Sequence, residues 1–206
     1  MGNTFSISLL RHGMTLANVE KKYIGWQSSS LLKTEVARLS RLAPYMKRMD
    51  SVSCSDLVRA IETAQLVVPN KLIEKISEFR ELHFGDWDGL THHELQHNPN
   101  YQQWIQEPFN IPIPNGEHFT EFRCRVNRGF SLLLKEIRNK PNHHHLIVSH
   151  GGVMRVLLDS FAPASKKSFW EWDISHTVLY TLTWNLERNE GDHRCTLLQV
   201  EHLTEK

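Results

Sequence analysis

Apolar positions divide the first eighty residues into alternating strands and helices. Phe5 to Leu10 is apolar and β-branched throughout and reads as a strand. Between Leu31 and Met49, the side chains of Leu32, Val36, Leu39, Leu42 and Met46 recur at helical spacing on one face, with Pro44 placed to break or kink the helix. Ser51 to Ser55 is a short strand, Arg59 to Val68 a helix with Ser55 or Asp56 as N-cap, and Lys71 to Ile76 a third strand. The pattern changes over residues 80–116, which are rich in Trp, His, Asn, Pro and Gly and predict an insertion of one or two short helices and long loops. Periodicity returns with a long helix from Glu117 to Arg138, apolar at Phe119, Phe122, Val126, Phe130, Leu133 and Ile137. A strand at His145 to Val148, a helix at Val153 to Phe161, and strands at Ser175 to Trp184 and Arg194 to Leu203 complete the chain, the last two as a hairpin turning at Asn189 to Asp192. Strands alternating with helices imply an α/β fold with a mostly parallel sheet covered on both faces.

Composition narrows the function classes. The 206 residues carry 40% apolar and 23% charged side chains, as an ordinary soluble globule of one domain does. A net charge of +1 offers no global field for nucleic acid or an anionic membrane, so any anion must be held by a local cluster. The three cysteines are far apart in sequence and fit reduced thiols in the cytoplasm. The opening MGNTFSISLLRHG has no basic region and only a short apolar run, so neither a secretory signal nor a membrane span is expected.

Candidate chemistry gathers at strand ends. Arg11-His12-Gly13 follows the first strand, and Ser149-His150-Gly151-Gly152 sits between a strand and a helix whose N-terminus offers free N–H groups. Ligands of open α/β sheets bind beyond the carboxyl ends of strands. Arg59 opens a helix after another strand and can take phosphate oxygens bidentately. Taken alone, the two histidine motifs also fit surface turns, and Arg59 also fits a surface pair with Glu62.

The four segments RHGMT, SDLVRAIETA, RELHFGDWDG and VSHGGVMR occur in the order and approximate spacing of the histidine phosphatase superfamily, the phosphoglycerate mutase-like proteins, which the chain resembles from Leu9 to about Arg155. Within it the chain is similar to the α-ribazole phosphatases of cobalamin biosynthesis, through Glu81 to Trp87, the tryptophan-bearing insertion, and Ile113 to Phe119 continuing to Arg125-Val126. The resemblance implies a three-layer α/β/α domain over residues 1–206, with a substrate-capping insertion at about 82–116. It implies a metal-independent phosphomonoesterase needing no cofactor. His12 would accept the phosphoryl group, Arg11, Arg59 and His150 would form the phosphate pocket, and Glu81 would be the proton donor. Thr15 and Asn18 match positions that contact phosphate or steady the nucleophile loop, and Gly151 would offer its N–H.

These roles agree with the chemistry. A neutral imidazole approaches a dianionic ester more easily than an anion does, and Arg11 and Arg59 favour that neutral form. Its other nitrogen is expected to donate to a backbone carbonyl. Glu78 and Glu117 are rivals of Glu81. Specificity is expected from residues 82–116 together with Trp26 and Gln27: Trp87, Trp104, Phe109 and Ile111 as an apolar wall, and His83, Asp88 and His92 as hydrogen-bonding groups, unless these aromatics serve as core. The tract His143-His144-His145 reads as a solvated loop entering a strand, and the helically spaced His92, His93 and His97 as a weak metal candidate. One departure stands out: where the family has Asp, then Pro-Leu-Thr and Gly after Gly25-Trp26, this chain has Gln27 to Glu35 without the Pro or the Gly.

The expected substrate is a small phosphate ester, nucleotide-like in the manner of α-ribazole 5′-phosphate, with no nucleic acid or membrane partner, for a monomer or homodimer. The alternatives are a broad phosphatase, a phosphoglycerate mutase-like phosphotransferase (disfavoured because the mutases' longer insertion is missing), and a phospholigand binder without activity.

Overall fold

A computed structural model describes residues 4–164, 167–186 and 193–203. Six strands form one sheet: β1 (Thr4–Arg11), β2 (Ser51–Cys54), β3 (Ile73–Lys75), β4 (His144–Ser149), β5 (Val178–Asn185) and β6 (Leu197–His202), in the order β3-β2-β4-β1-β5-β6. The first four are mutually parallel, and β5 and β6 add antiparallel on the β1 side. The expected terminal hairpin is therefore present as a strand pair, while its turn lies outside the described residues.

Alternation along the strands assigns the two faces. Phe5, Ile7, Leu9 and Ile147 pack with Phe122, Val126, Phe130 and Leu133 of α6 (Phe119–Ile137) and with Val153 to Leu158 of α7 (Gly151–Phe161). Leu10, Leu146 and Val148 face the other way, onto α2 (Lys33–Leu42) and α3 (Val58–Val67). A third apolar cluster, Trp87, Leu95, Tyr101, Trp104 and Ile113, forms within the insertion around α4 (His92–Leu95) and α5 (Pro99–Gln106). Each of these short helices starts at a side-chain cap, Thr91 with Glu94 and Asn98 before Pro99. Among the described residues no helix is long and apolar enough to cross a membrane.

Several sequence expectations shift. The helix expected over Leu31–Met49 stops at Leu42; Pro44 begins a separate single 3₁₀ turn at Tyr45–Arg48, and Val36 is exposed. The cap of α3 is Leu57, without a side-chain bond; Asp56 pairs with Arg80, and Ser55 contacts His150 and accepts from Leu57 N. The histidine tract is not a solvated loop. His144 and His145 belong to β4, and His145 is buried between Ser51 and Ser53, its ring nitrogens 2.6 and 2.8 Å from their hydroxyls. Desolvation, reinforced by the nearby charges of His143 and Lys140, pushes the His145 pKa down to about 3.

Candidate active site

Three neighbouring parallel strands, β2, β4 and β1, end side by side and deliver Ser55, His150 and His12 to one edge of the sheet. The ladder runs past the strand ends, with His12 N donating to Ser149 O at 2.9 Å and Ser55 N to Val148 O at 3.0 Å. The two histidine rings lie with centroids 5.1 Å apart, and both are buried.

The tautomer of His12 follows from one contact. Its Nδ1 is 2.7 Å from the carbonyl oxygen of Gly13, which can only accept, so Nδ1 carries the proton and Nε2 holds the lone pair. Nε2 faces the Arg59 Nε at 3.3 Å. Burial, then Arg59 and Arg11, holds the His12 pKa well below the ordinary imidazole value, so the ring is neutral. His150 is neutral for the same reasons, desolvation first and Arg59 next. Its Nε2 is 2.8 Å from Ser55 Oγ, which also accepts from Leu57 N at 3.3 Å. Either Ser55 Oγ or His150 Nε2 can be the donor in that contact, while His150 Nδ1 is a buried atom with no partner.

The cations are held by backbone. Arg59 is 1% exposed rather than paired at the surface, and it donates to the Gly25 carbonyl at 2.7 Å and the Gln27 carbonyl at 3.3 Å. Burial lowers its pKa to about 10, so it stays charged. Arg11 donates to Ile174 O at 2.8 Å and keeps a buried, unpartnered Nε. Glu62, the suggested surface partner of Arg59, instead accepts from Leu31 N at 2.8 Å. In the altered loop, Glu35 is buried and accepts from Met14 N at 2.9 Å, clamped by Arg38. The nucleophile loop is thus tied down without the missing Pro and Gly.

α7 begins at Gly151, two residues before its expected start, so both glycines lie in its first turn. Gly152 N donates to Glu81 Oε2 at 3.0 Å, and Leu82 N to Glu81 Oε1 at 2.9 Å. A Cβ on Gly152 would come within 2.3 Å of Glu81 Oε1, so only glycine allows this approach. Of the three candidate acids Glu81 alone lines the cavity. Glu117 is paired with Arg125 at 2.6 Å and Glu78 lies near the exposed Arg128.

The cavity has a volume of about 300 Å³. Its polar end comprises Arg11, His12, Asn18, Glu81, Gly151 and Arg155, and its walls include Tyr23, Phe84, Trp104, Phe119 and Trp170. Thr15 is fully buried and does not line it. Thr15 N and Oγ1 both donate to Asn18 Oδ1, each at 3.0 Å, so Thr15 caps the short α1 (Leu16–Val19) and fixes Asn18.

The specificity residues divide. Trp104 lines the cavity, whereas Trp87 is 2% exposed in the insertion core and Ile111 packs against that core. Phe109 stacks behind the wall, on Phe119 and Trp170. Gln27 bonds the Asp88 carbonyl, and the Asp88 carboxylate takes the N–H groups of Gly25, Trp26 and Gln27. Trp26 donates to Glu81 O at 2.9 Å and packs on His83, next to the cavity rather than in it. His92 is bonded to Tyr101, and among the described residues no group of three or more His, Cys, Asp or Glu could hold a metal ion.

Sequence reasoning missed Ser55 as a partner of His150, and it missed Arg155, Tyr23, Phe84 and Trp170. It also missed His176, whose Nδ1 donates to the His12 carbonyl and whose ring packs on His12.

A family model for the histidine phosphatase superfamily (branch 1) matches residues 7–194. The adenosylcobalamin/alpha-ribazole phosphatase of Salmonella typhimurium is 32% identical over 174 residues, 81% of this chain and 84% of that protein. The crystal structure of the alpha-ribazole phosphatase from Shigella flexneri superposes with a TM-score of 0.77 at 32% identity, covering 87% of this chain and 91% of that one. A structure from Escherichia coli reaches a TM-score of 0.81 at 26% identity over 98% of this chain and 96% of its own.

Proposed function

Because the chain belongs to branch 1 of the histidine phosphatase superfamily, we propose that it hydrolyses small phosphate monoesters through a phosphohistidine at His12, with a nucleotide-like ester such as α-ribazole 5′-phosphate as substrate. The observation that carries this reading is the His12 ring: neutral, with Nδ1 locked on the Gly13 carbonyl and Nε2 turned to the guanidinium of Arg59, at the polar end of the cavity that also holds Glu81.

Arg11, Arg59 and, with Ser55 donating to its Nε2, the Nδ1–H of His150 hold the phosphoryl oxygens where charge spreads in the transition state. Nε2 of His12 forms a bond to phosphorus as the ester P–O bond breaks, and Glu81 gives its proton to the departing oxygen. Water then attacks the phosphorus of phosphohistidine, the P–N bond returns its electrons to Nε2, and the Glu81 carboxylate takes the water's proton. Inorganic phosphate leaves. The insertion at 82–116 caps the alcohol side, with Phe84 and Trp104 beside a flat group. The relatives named as alpha-ribazole phosphatases support the benzimidazole nucleoside as that group.

The test is metal-free phosphate release from α-ribazole 5′-phosphate, p-nitrophenyl phosphate, phosphoglycerates and sugar phosphates, with His12→Ala as control and trapping of the labelled enzyme. An acid-labile label on His12 is expected. A label on another side chain, or undiminished turnover by His12→Ala, overturns the mechanism. A rate on α-ribazole 5′-phosphate no better than on the sugar phosphates overturns the substrate.

A further inference from the structure

Two peptide groups set the direction of His12 Nε2, and side chains outside the phosphate pocket hold both. His12 Nδ1 donates to the Gly13 carbonyl, so the imidazole turns with the plane of the peptide between Gly13 and Met14. The far end of that peptide, Met14 N, donates to Glu35 Oε2 at 2.9 Å. The preceding peptide is also gripped at both ends. Gly13 N donates to Thr63 Oγ1 at 2.9 Å, and the His12 carbonyl accepts from His176 Nδ1. Between the two planes stands a glycine, the residue whose backbone is least restricted by itself.

Arg38 joins the two outer grips. Its Nε and Nη2 donate to the Glu35 carboxylate at 2.9 and 2.7 Å, and Nη2 reaches the His176 carbonyl at 3.4 Å. The His176 ring meets the His12 ring edge-on, with centroids 5.5 Å apart and planes at 67°. A carbonyl only accepts, so His176 carries its proton on Nδ1. Burial, then the charge of Arg11, lowers its pKa to about 4, and it therefore holds the loop as a neutral ring.

The contacts close into a circuit from His12 through Met14, Glu35, Arg38 and His176 back to His12. Stability alone does not explain it. A buried ion pair loses in desolvation much of what it gains in attraction, and here Glu35 is buried and Arg38 Nη1 is left buried without a partner. None of the three side chains lines the cavity, so none is placed to hold the phosphoryl group. Glu35 closes the stretch in which the chain lacks the family's Pro and Gly. What the circuit does control is aim: a nucleophile must point along the bond it breaks, and a displacement of about 1 Å can cost about 100-fold in rate.

We propose that His176, Arg38 and Glu35 are positioning residues that together fix the direction of His12 Nε2, acting on phosphoryl transfer and not on phosphate binding. The inference rests on the phosphatase reading, with His12 as nucleophile, and deepens it by assigning the side chains that aim that nucleophile.

The experiment is single-turnover formation of phosphohistidine from p-nitrophenyl phosphate by quenched flow, set beside the inhibition constant of inorganic phosphate. His176→Ala should slow phosphorylation about 10- to 100-fold and leave the inhibition constant unchanged. His176→Asn, whose amide can donate to the same carbonyl, should recover part of the rate. Glu35→Gln keeps an acceptor for Met14 N and loses the ion pair; it should slow the same step. The Glu35→Gln/His176→Ala double variant should lose less than the product of the two single losses, as side chains acting as one unit do. An unchanged phosphorylation rate, a loss of phosphate affinity as large as the loss of rate, or single losses that multiply in the double variant would each overturn the proposal. Should His176→Ala not fold, Glu35→Gln alone carries the rate and affinity readings. A wild-type enzyme that places no label on His12 defeats the nucleophile reading itself, a result distinct from a variant that is labelled slowly.

Discussion

Gly152→Ala separates the acid from the rest of the site. The new Cβ would stand 2.3 Å from Glu81 Oε1 and 3.2 Å from both Glu81 Cδ and Phe122 Cζ. The worst contact is with the free end of a flexible side chain, so Glu81 rotates away and the backbone stays. The rotation breaks the 3.0 Å bond from Gly152 N. Losing a hydrogen bond to a carboxylate costs about 1.5–3 kcal/mol, and alanine recovers about 1 kcal/mol of helix propensity in α7. The net loss, about 0.5–2 kcal/mol, lowers Tm by about 1–8 °C for a chain of this size. Catalysis should suffer more. General acid catalysis contributes about 10²- to 10⁴-fold, and the benefit is concentrated on alcohols that leave poorly. The assay is kcat/KM, which reports steps only through departure of the alcohol, for butyl phosphate and p-nitrophenyl phosphate side by side. Butyl phosphate should lose about 10²-fold or more and p-nitrophenyl phosphate less than about 10-fold. Equal losses on the two esters, or none on either, would refute Glu81 as the proton donor held by this contact.

Two further outcomes follow from buried polar contacts. The proposed mechanism has the Ser55 hydroxyl donating to His150 Nε2, which keeps a proton on Nδ1 for phosphate; in Ser55→Ala inorganic phosphate should inhibit about 10- to 100-fold more weakly and nitrogen NMR should show His150 shifting to its Nε2–H tautomer, and unchanged phosphate affinity would argue against that donor direction. His145 titrates near 6.5 when unfolded and near 3 when folded, so the unfolded chain binds the extra proton between those values and stability falls as pH drops from about 6.5 toward 3. His145→Asn should lower Tm at pH 7 yet flatten its decline between pH 6.5 and 4; an unaltered slope in thermal melts would assign the acid sensitivity to other groups.

How much was legible in the sequence depended on whether a role arises within one segment or between segments. His12 and His150 were readable because each closes an apolar strand and precedes glycine, and Arg59 because it opens a helix. Ser55 was visible only as a possible cap, since its bond to His150 exists because β2 lies beside β4, and strand order leaves no trace in local periodicity. The aromatic wall was misassigned for a similar reason. Trp87 and Trp104 carry the same chemistry, but the packing of both on Tyr101 decides that Trp87 is enclosed and Trp104 reaches the cavity. His145 was placed at the start of a strand but its tract was taken as solvated, because consecutive histidines resemble solvated sequence, while its serine partners lie 94 and 92 residues away in sequence. Arg155, within one of the recognised motifs, drew no attention because nothing in its local sequence says that α7 turns it into the cavity.

The two ends of the insertion are buttoned together. Gly85, at a φ of +48°, presses so close to the 114–116 backbone that a Cβ would meet Pro114 O at 2.1 Å. Asp86 N reaches the same Pro114 oxygen at 3.0 Å, and Glu117 N reaches His83 O at 2.9 Å. A segment of some thirty residues therefore leaves and rejoins the scaffold at one point, wrapped around its own tryptophan cluster. Its middle is fastened as well, Asp88 to the N–H groups of Gly25, Trp26 and Gln27 and Tyr23 to Gly89 and Leu90, so a change of sequence there would be felt at the Gly25 carbonyl that Arg59 grips.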